Sequence, residues 1–147
     1  MTCLPFRHRQ HGFTAIETFA AAIILIIATV LIVPRVMERP DEARVRRARV
    51  DVLALQEALT RYKADNGRYP TTAQGLEALV HRPTEAPEPN AWREGGYLAG
   101  IPKDPWGRAY QYQQPGQHGP IDVYSLGADG NVGGEGVDTD IGNWNSE

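Results

Sequence analysis

Apolar residues dominate the chain from residue 13 to residue 33, a run of 21 positions. At about 1.5 Å per residue, a helix of this length crosses a hydrocarbon core about 30 Å thick. The residues before it carry Arg7 and Arg9 and no acid, and a positive flank of this kind stays cytoplasmic when an apolar helix inserts. The pattern therefore predicts one membrane-spanning helix whose C-terminal end points outward.

A second helical pattern follows the apolar run. Pro34 and Pro40 interrupt it, because proline lacks the backbone donor that a helix needs. Asp41 and Glu42 favour a new helix start, since acids stabilise a first turn. Apolar residues then recur at gaps of three and four up to about residue 65, namely Val45, Ala48, Val52, Leu55, Leu59 and Tyr62. The spacing predicts an amphipathic helix that ends at Asn66 and Gly67, with an apolar face that other residues must cover.

The rest of the chain predicts a small head. Residues 73–80 indicate a short helix that packs Leu76 and Leu79 inward, and residues 81–96 hold many prolines and polar residues, as a surface loop does. Residues 110–113 and 121–126 alternate with a period of two, which predicts two antiparallel strands joined by a loop. We expect these strands to cover the apolar face of the helix.

Charge is unevenly distributed along the chain. The net charge of -3 argues against nucleic acid as the main partner. Four arginines open the amphipathic helix, at positions 44, 46, 47 and 49. Such a face is most often solvated surface, but its place just beyond the membrane segment also fits contact with lipid headgroups or with another subunit.

Cysteine content limits how the head can be fastened. The one cysteine is Cys3, so no intramolecular disulfide can form. A head facing an oxidising compartment, where small domains commonly use disulfides, therefore needs another fastener.

A carboxylate lies close to the start of the apolar run, at Glu17. A secretory signal peptide would end in a small-x-small cleavage site, which Val33, Pro34 and Arg35 do not supply. A plain membrane anchor or a buried core helix would account for the hydrophobicity. Neither explains an acid in an apolar segment, where a charge is costly and calls for a function.

The order of residues around this acid resembles a known processing signal. Gly12, Phe13, Thr14, Ala15, Ile16 and Glu17 follow a basic leader and are similar to the class III signal of type IV pilins and pseudopilins, although Ala15 replaces the usual leucine. The resemblance implies that a prepilin peptidase cuts between Gly12 and Phe13 and methylates the new amine of Phe13. It also implies that Glu17 pairs with the Phe13 amine of a neighbouring subunit. The alternative is that Glu17 only snorkels to the membrane interface.

The last part of the chain is rich in glycine and acids, from residue 125 to residue 141. Carboxylate and carbonyl oxygens on flexible turns suit calcium, which takes six to eight such ligands. On composition alone, a solvated loop without metal is the alternative. Three blocks, Ser-Leu-Gly-Ala-Asp-Gly, Gly-Gly-Glu-Gly and Asp-Ile-Gly-Asn-Trp, resemble the calcium loop of major pseudopilins of type II secretion systems. This implies calcium bound by the side chains of Asp129 and Asp138 and the carbonyl of Leu126, with Asp140 and Asn131 as further candidates.

Residues 68–76 and 101–108 resemble two further blocks of the same pseudopilin family. The resemblance implies an α+β, type IV pilin-like fold in which a long N-terminal helix packs against a small C-terminal antiparallel sheet and a calcium-stabilised loop. The expected divisions are a leader at 1–12, a membrane and filament-core segment at 13–33, an amphipathic periplasmic helix at 34–65, and a head at 66–147.

The implied function is that of the major structural subunit of a periplasmic pseudopilus, which drives export of folded proteins across the outer membrane. Before assembly, the chain would cross the inner membrane once, with its head in the periplasm. The implied partners are further copies of the chain, minor pseudopilins, the inner-membrane assembly platform with its cytoplasmic ATPase, and the prepilin peptidase.

Other functions fit parts of the sequence. A type IV major pilin often closes a C-terminal loop with a disulfide, which this chain cannot form, and a minor pseudopilin should depart from the pattern in the head. An enzyme is disfavoured because the four histidines, His8, His11, His81 and His118, are scattered and form no recognisable catalytic set. A sugar-binding module would use Trp106 as a platform, although an aromatic between proline and glycine is more often a core plug.

Overall fold

The computed structural model describes residues 40–146. The predicted leader, the apolar segment at 13–33 and the motif residues Gly12, Phe13 and Glu17 lie outside this range. Among the residues that are described, none of the helices combines the length and the apolar character needed to cross a bilayer.

Helix α1 runs from Pro40 to Asn66 and spans 27 residues. Its first turn carries Asp41 and Glu42, as the sequence predicts. The helix ends where the backbone N–H of Gly67 donates to the carbonyl of Lys63 at 2.7 Å. The predicted end of the helix is therefore confirmed to within a residue or two, because the local signal at Asn66 and Gly67 sets it. Pro40 is the first residue that the structure describes.

The core of the head lies along one face of α1. Val52, Leu55, Leu59 and Tyr62 are at most 1% exposed, which confirms the predicted apolar stripe, whereas Val45 is only half-buried. These side chains form one cluster with residues from the rest of the head, namely Leu76, Leu79, Tyr97, Tyr110, Ile121 and Val123. The helix and the head thus share a single hydrophobic core.

Three short strands form an antiparallel sheet in the order β1-β2-β3. Strand β1 is Gln111–Gln113, β2 is Asp122–Ser125 and β3 is Ile141–Gly142. The first two strands confirm the predicted pair, with Tyr112 opposite Val123. The sequence did not predict β3, because two residues are too few to show an alternating pattern. It pairs Ile141 with Ser125 and brings the end of the chain back onto the sheet.

The segment between the helix and the sheet is mostly irregular. A 3-10 helix at Leu76–Leu79 replaces the longer helix expected at 73–80, and it buries both leucines as predicted. Residues 81–96 form the expected loop, most of it exposed. Several hydrogen bonds join it to the rest of the head; for example, Trp92 Nε1 donates to the carbonyl of Ala78 at 3.0 Å, and the N–H of Ala91 donates to Asn66 Oδ1 at 2.9 Å. Trp106 is half-buried and lies outside the main cluster.

Candidate functional site

The glycine-rich loop between β2 and β3 is organised as two limbs. In the first limb, residues 126–130, the N–H of Gly130 donates to the carbonyl of Leu126 at 3.2 Å. The second limb, residues 133–140, contains a 3-10 turn at Gly136–Asp138. The N–H of Ala128 donates to the carbonyl of Val137 at 2.9 Å and joins the two limbs. The backbone of the first limb therefore lies against the backbone beside Asp138.

At Gly127 the two limbs lie too close together to admit a side chain. It has a φ of +63°, and a Cβ added there would lie 2.5 Å from the carbonyl oxygen of Asp138 and 2.9 Å from that of Thr139. Real Cβ atoms do not approach an oxygen so closely, so a residue with a side chain would push the limbs apart. Because glycine has no side chain, the backbone oxygens of the two limbs can lie close to each other at this position.

Asp129 is held in place by a close neighbour in the first limb. Its Oδ1 accepts the backbone N–H of Asn131 at 3.0 Å, and its Oδ2 accepts Nδ2 of the same residue at 3.2 Å. The backbone hydrogen bond from Asn131 is the largest cause that lowers the pKa of Asp129 below its usual value. The carboxylate is thus anionic at neutral pH and has a fixed direction, and Asn131 orients it.

Asp140 presents a carboxylate oxygen whose hydrogen-bonding capacity is unused. Its Oδ2 accepts the N–H of Gly133 at 2.9 Å. Its Oδ1 is buried and has no hydrogen-bond partner among residues 40–146. Burying a charged oxygen without a partner is unfavourable, and a cation beside it would remove this cost. Asp138, the other predicted ligand of the second limb, is half-buried.

These features fit a calcium site built from mixed donors. In the part of the chain that the structure describes, no three side chains of His, Cys, Asp or Glu come together as metal ligands. A cation here would therefore need backbone carbonyls in addition to carboxylates. Calcium accepts such a set, whereas metals that prefer nitrogen or sulfur do not. The carbonyl of Leu126 is available in part, because a carbonyl oxygen has two lone pairs and Gly130 uses one.

A buried carboxylate lies beside the end of β2, next to the first limb, and sequence reasoning missed it. Asp104 is 4% exposed. Its Oδ1 accepts the N–H groups of Trp106 at 3.0 Å and Arg108 at 2.7 Å, and its Oδ2 accepts the hydroxyl of Ser125 at 2.7 Å. The signal that was available is an aspartate directly before proline, tryptophan and glycine, since aspartate commonly bonds the backbone two residues on. Asp104 thus links the turn after it to the end of β2.

A second buried carboxylate joins the β1–β2 loop to the end of the chain. Asp122 Oδ2 accepts the N–H of Gln117 at 2.8 Å and lies 3.0 Å from Nδ1 of His118. The His118 ring stacks on Trp144, with ring centroids 3.9 Å apart. In the sequence, His118 is one of several scattered histidines. Its partners do not reveal its role, because Trp144 is distant in the chain and Asp122 forms no recognisable motif with it. In the fold it is a structural residue that ties two loops together.

The basic cluster at the start of α1 is exposed, as the predicted solvated face requires. Arg44 lies 3.3 Å from Asp41, and Arg47 lies 3.8 Å from Asp51. Pairs of this kind contribute little to stability, because solvent screens them. The side chains of Arg44 and Arg47 remain largely solvated, being 49% and 73% exposed.

Comparisons with known proteins agree on one family. The family model described as Type II secretion system (T2SS), protein G matches residues 35–144. Type II secretion system core protein G of Pseudomonas aeruginosa is 54% identical over 140 residues, which cover 95% of this chain and 99% of that protein. The protein of the same name from Vibrio cholerae is 53% identical, with 93% of each chain covered.

A solved structure is also similar. It is the crystal structure of the major pseudopilin from the type 2 secretion system of enterohaemorrhagic Escherichia coli. The two chains are 47% identical and superpose with a TM-score of 0.66, over 78% of this chain and 97% of that one.

Proposed function

The chain belongs to the type II secretion system protein G family, the major pseudopilins, and on this premise we propose that it is the repeating subunit of a periplasmic pseudopilus. The observation that carries the proposal is the match to a major pseudopilin structure over nearly all of that structure's length. The same match favours this function over a type IV pilin, a minor pseudopilin, a membrane-anchored enzyme or a sugar-binding module. The role is structural: the subunit polymerises, and growth of the filament drives export of folded proteins across the outer membrane.

Assembly starts from the membrane. The proposed path is insertion of residues 13–33 in the inner membrane with the head in the periplasm, and cleavage by a prepilin peptidase between Gly12 and Phe13. Methylation of the Phe13 amine follows. The assembly platform, its cytoplasmic ATPase and the minor pseudopilins are the proposed partners in building the filament. Support for this path comes from the leader, the length of the apolar run and the motif at Gly12 to Glu17.

Glu17 sets the axial position of each subunit in this proposal. After cleavage, the amine of Phe13 and the carboxylate of Glu17 lie in an apolar bundle, and each charge costs several kcal/mol if unpaired. Pairing Glu17 of one subunit with the Phe13 amine of a neighbour removes both costs together. The pairing also selects one register among the many that an apolar helix surface allows.

Calcium is proposed to stabilise the C-terminal loop of the head. Asp129 and one aspartate of the second limb, Asp138 or Asp140, would hold it together with the carbonyl of Leu126, and Asn131 would orient Asp129. When bound, the ion would supply positive charge to the carboxylates and carbonyls that hold it. Three observations support the site: the directed carboxylate of Asp129, the unused oxygen of Asp140 and the contact of the limbs at Gly127.

The test of the proposed function is a Glu17→Ala variant in cells that carry the other secretion components. We expect the variant to remain in the inner membrane, because the apolar run is intact, and to form no filaments. Glu57→Ala is the matched control, since Glu57 is exposed on α1 and pairs with Arg61 at the surface. Mass spectrometry of the extracted protein should give residues 13–147 plus one methyl group. Normal filaments from Glu17→Ala, or an uncut chain, would contradict the proposal.

A further inference from the structure

Arg108 reaches from the turn before β1 into the first limb of the loop. Its guanidinium donates to the carbonyl of Gly127 and, through Nη1, to the carbonyl of Ala128 at 3.3 Å. These two acceptors lie 19 and 20 residues further along the chain. The planar guanidinium can satisfy two neighbouring carbonyls at once, which a single ammonium group does less well. The contact therefore fixes the direction of both peptide groups.

The backbone of Arg108 is held by Asp104. The N–H of Arg108 donates to Asp104 Oδ1 at 2.7 Å, and the N–H of Asp104 donates to the carbonyl of Arg108 at 2.8 Å. Nε of the side chain lies 3.7 Å from Asp104 Oδ2, and that carboxylate side chain is 1% exposed. A buried acid thus anchors the backbone of Arg108, whereas Nε is buried without a hydrogen-bond partner among residues 40–146 and has only the longer ion-pair contact with Asp104.

The first limb closes over the guanidinium at Gly130. A Cβ on Gly130, whose φ is +76°, would lie 2.9 Å from Nη1 and 3.1 Å from Cζ of Arg108. The turn therefore packs directly on the charged group with no space for a side chain. Arg108 thus contacts Asp104 on one side and packs against Gly130 on the other.

We propose that Arg108 is a positioning residue for the calcium site: by holding the carbonyls of Gly127 and Ala128, it keeps the first limb in its binding conformation before the ion arrives. The inference rests on the proposed calcium site of this chain. It makes two specific statements. The carbonyls of Gly127 and Ala128 serve Arg108 and are not ligands, and the carbonyl of Leu126 and the carboxylate of Asp129 keep their places without metal.

Two effects of opposite sign act on calcium affinity here. A positive guanidinium repels a divalent cation, but the Arg108 side chain is 36% exposed, and solvent screens such a repulsion. Against this, an unsupported glycine-rich limb must be ordered when calcium binds, and ordering each residue costs entropy. Several residues are ordered in advance by Arg108, so preorganisation is the larger effect and removal of the arginine should weaken binding.

The test uses the full chain in detergent, with hydrogen exchange followed residue by residue and calcium titrated by calorimetry. Arg108→Gln removes the charge and the double contact, and Arg108→Lys keeps the charge alone. Arg93→Gln is the control, because Arg93 pairs with Asp65 at an exposed part of the head. In chelator, we expect Arg108→Gln to speed exchange of the Ala128 and Gly130 amides at least about tenfold. We expect it to weaken calcium binding at least about tenfold, Arg108→Lys to weaken it less, and Arg93→Gln to change neither.

The amides of Leu55 and Leu59 in α1 report in the same experiment whether each variant is folded. If the Leu55 and Leu59 amides lose protection in Arg108→Gln, that variant is unfolded and Arg108→Lys is used in its place. Wild-type exchange at Ala128 and Gly130 together with wild-type calcium affinity in Arg108→Lys then overturns the proposal. For a folded Arg108→Gln variant, the same pair of results overturns it. Failure of the unaltered chain to bind calcium overturns the calcium site and this inference with it, whereas binding that is equal in all variants overturns only the role of Arg108.

Discussion

The hydroxyl of Tyr110 donates a 3.0 Å hydrogen bond to Oδ2 of Asp51 and so joins residues 59 positions apart. Tyr110 stands directly before β1 and is 5% exposed, and Asp51 lies on α1. The apolar packing of the sheet on the helix is not directional, because hydrophobic contact depends on area. A polar contact between Tyr110 and Asp51 is directional, so it selects one orientation of the sheet on α1.

The first prediction concerns stability at high pH. Burial is the main cause that raises the pKa of Tyr110, and burial likewise raises the pKa of Tyr62, Tyr97 and Tyr112. Unfolded tyrosines ionise near pH 10. Below pH 10 the tyrosines are protonated in both states, and the fold keeps its full free energy of unfolding. Above pH 10 the unfolded chain releases protons that the folded chain retains, because the tyrosine pKa values are raised in the fold, and the free energy of unfolding decreases. The free energy of unfolding should therefore fall steeply from about pH 10 upward.

A Tyr110→Phe variant isolates one of these tyrosines. Each tyrosine that ionises only in the unfolded chain lowers the free energy of unfolding by about 1.4 kcal/mol per pH unit. The slope above pH 10 should be shallower by roughly this amount in the variant, measured by urea denaturation between pH 8 and pH 11. An unchanged slope would show that Tyr110 ionises in the folded state and that its contact with Asp51 does not hold the proton.

The second prediction compares two leucines of α1. Leu59 is 0% exposed in the core, whereas Leu53 is 45% exposed at the surface. Leu59→Ala should lower the free energy of unfolding by about 2–5 kcal/mol, because it removes buried methyl groups and leaves a cavity. Leu53→Ala should cost less than about 1 kcal/mol. Urea denaturation of both variants measures the difference, and equal costs would mean that the head does not pack on this face.

Local sequence patterns were sufficient for the larger elements of the fold. The spacing of Val52, Leu55, Leu59 and Tyr62 gives both the helix and its buried face, because each signal lies within a few residues. Alternation likewise locates β1 and β2. Strand β3 has no such signal, because it exists only through its pairing with β2. Its prediction would need knowledge of which distant residues meet.

The sequence likewise indicates some features of the candidate site and not others. Composition and resemblance direct attention to Asp129 and Asp138, since acids and glycines concentrate in the C-terminal loop. They do not indicate that Gly127 touches the backbone of Asp138 or that Arg108 supports the first limb. Those contacts join segments about 11 to 20 residues apart, and their partners are backbone atoms, which every residue carries. No residue type at either end therefore reveals the pairing.

The third prediction uses two glycines of the loop with nearly the same backbone conformation. Gly127 has a φ of +63° and Gly136 a φ of +64°, but only Gly127 would bring a Cβ within 4 Å of other atoms. Both alanine variants carry the cost of a left-handed alanine, about 1–2 kcal/mol. Gly127→Ala must also displace the carbonyl of Asp138. Calorimetry should show calcium affinity at least about tenfold weaker for Gly127→Ala and little changed for Gly136→Ala; the reverse order would contradict the arrangement of the limbs.

The fourth prediction is the effect of removing calcium. A ligand that binds only the folded state at a concentration 100 times its Kd adds about 2.7 kcal/mol of stability, so a chelator should lower the Tm by several degrees and speed proteolysis between residues 126 and 140. Asp140→Asn should abolish most of this difference, because it replaces the buried, unused oxygen with a weaker ligand. Glu94→Gln, which neutralises an exposed acid outside the loop, should retain it. If calcium and chelator give the same Tm for the unaltered chain, the acidic loop is held by its own hydrogen bonds and by Arg108 alone.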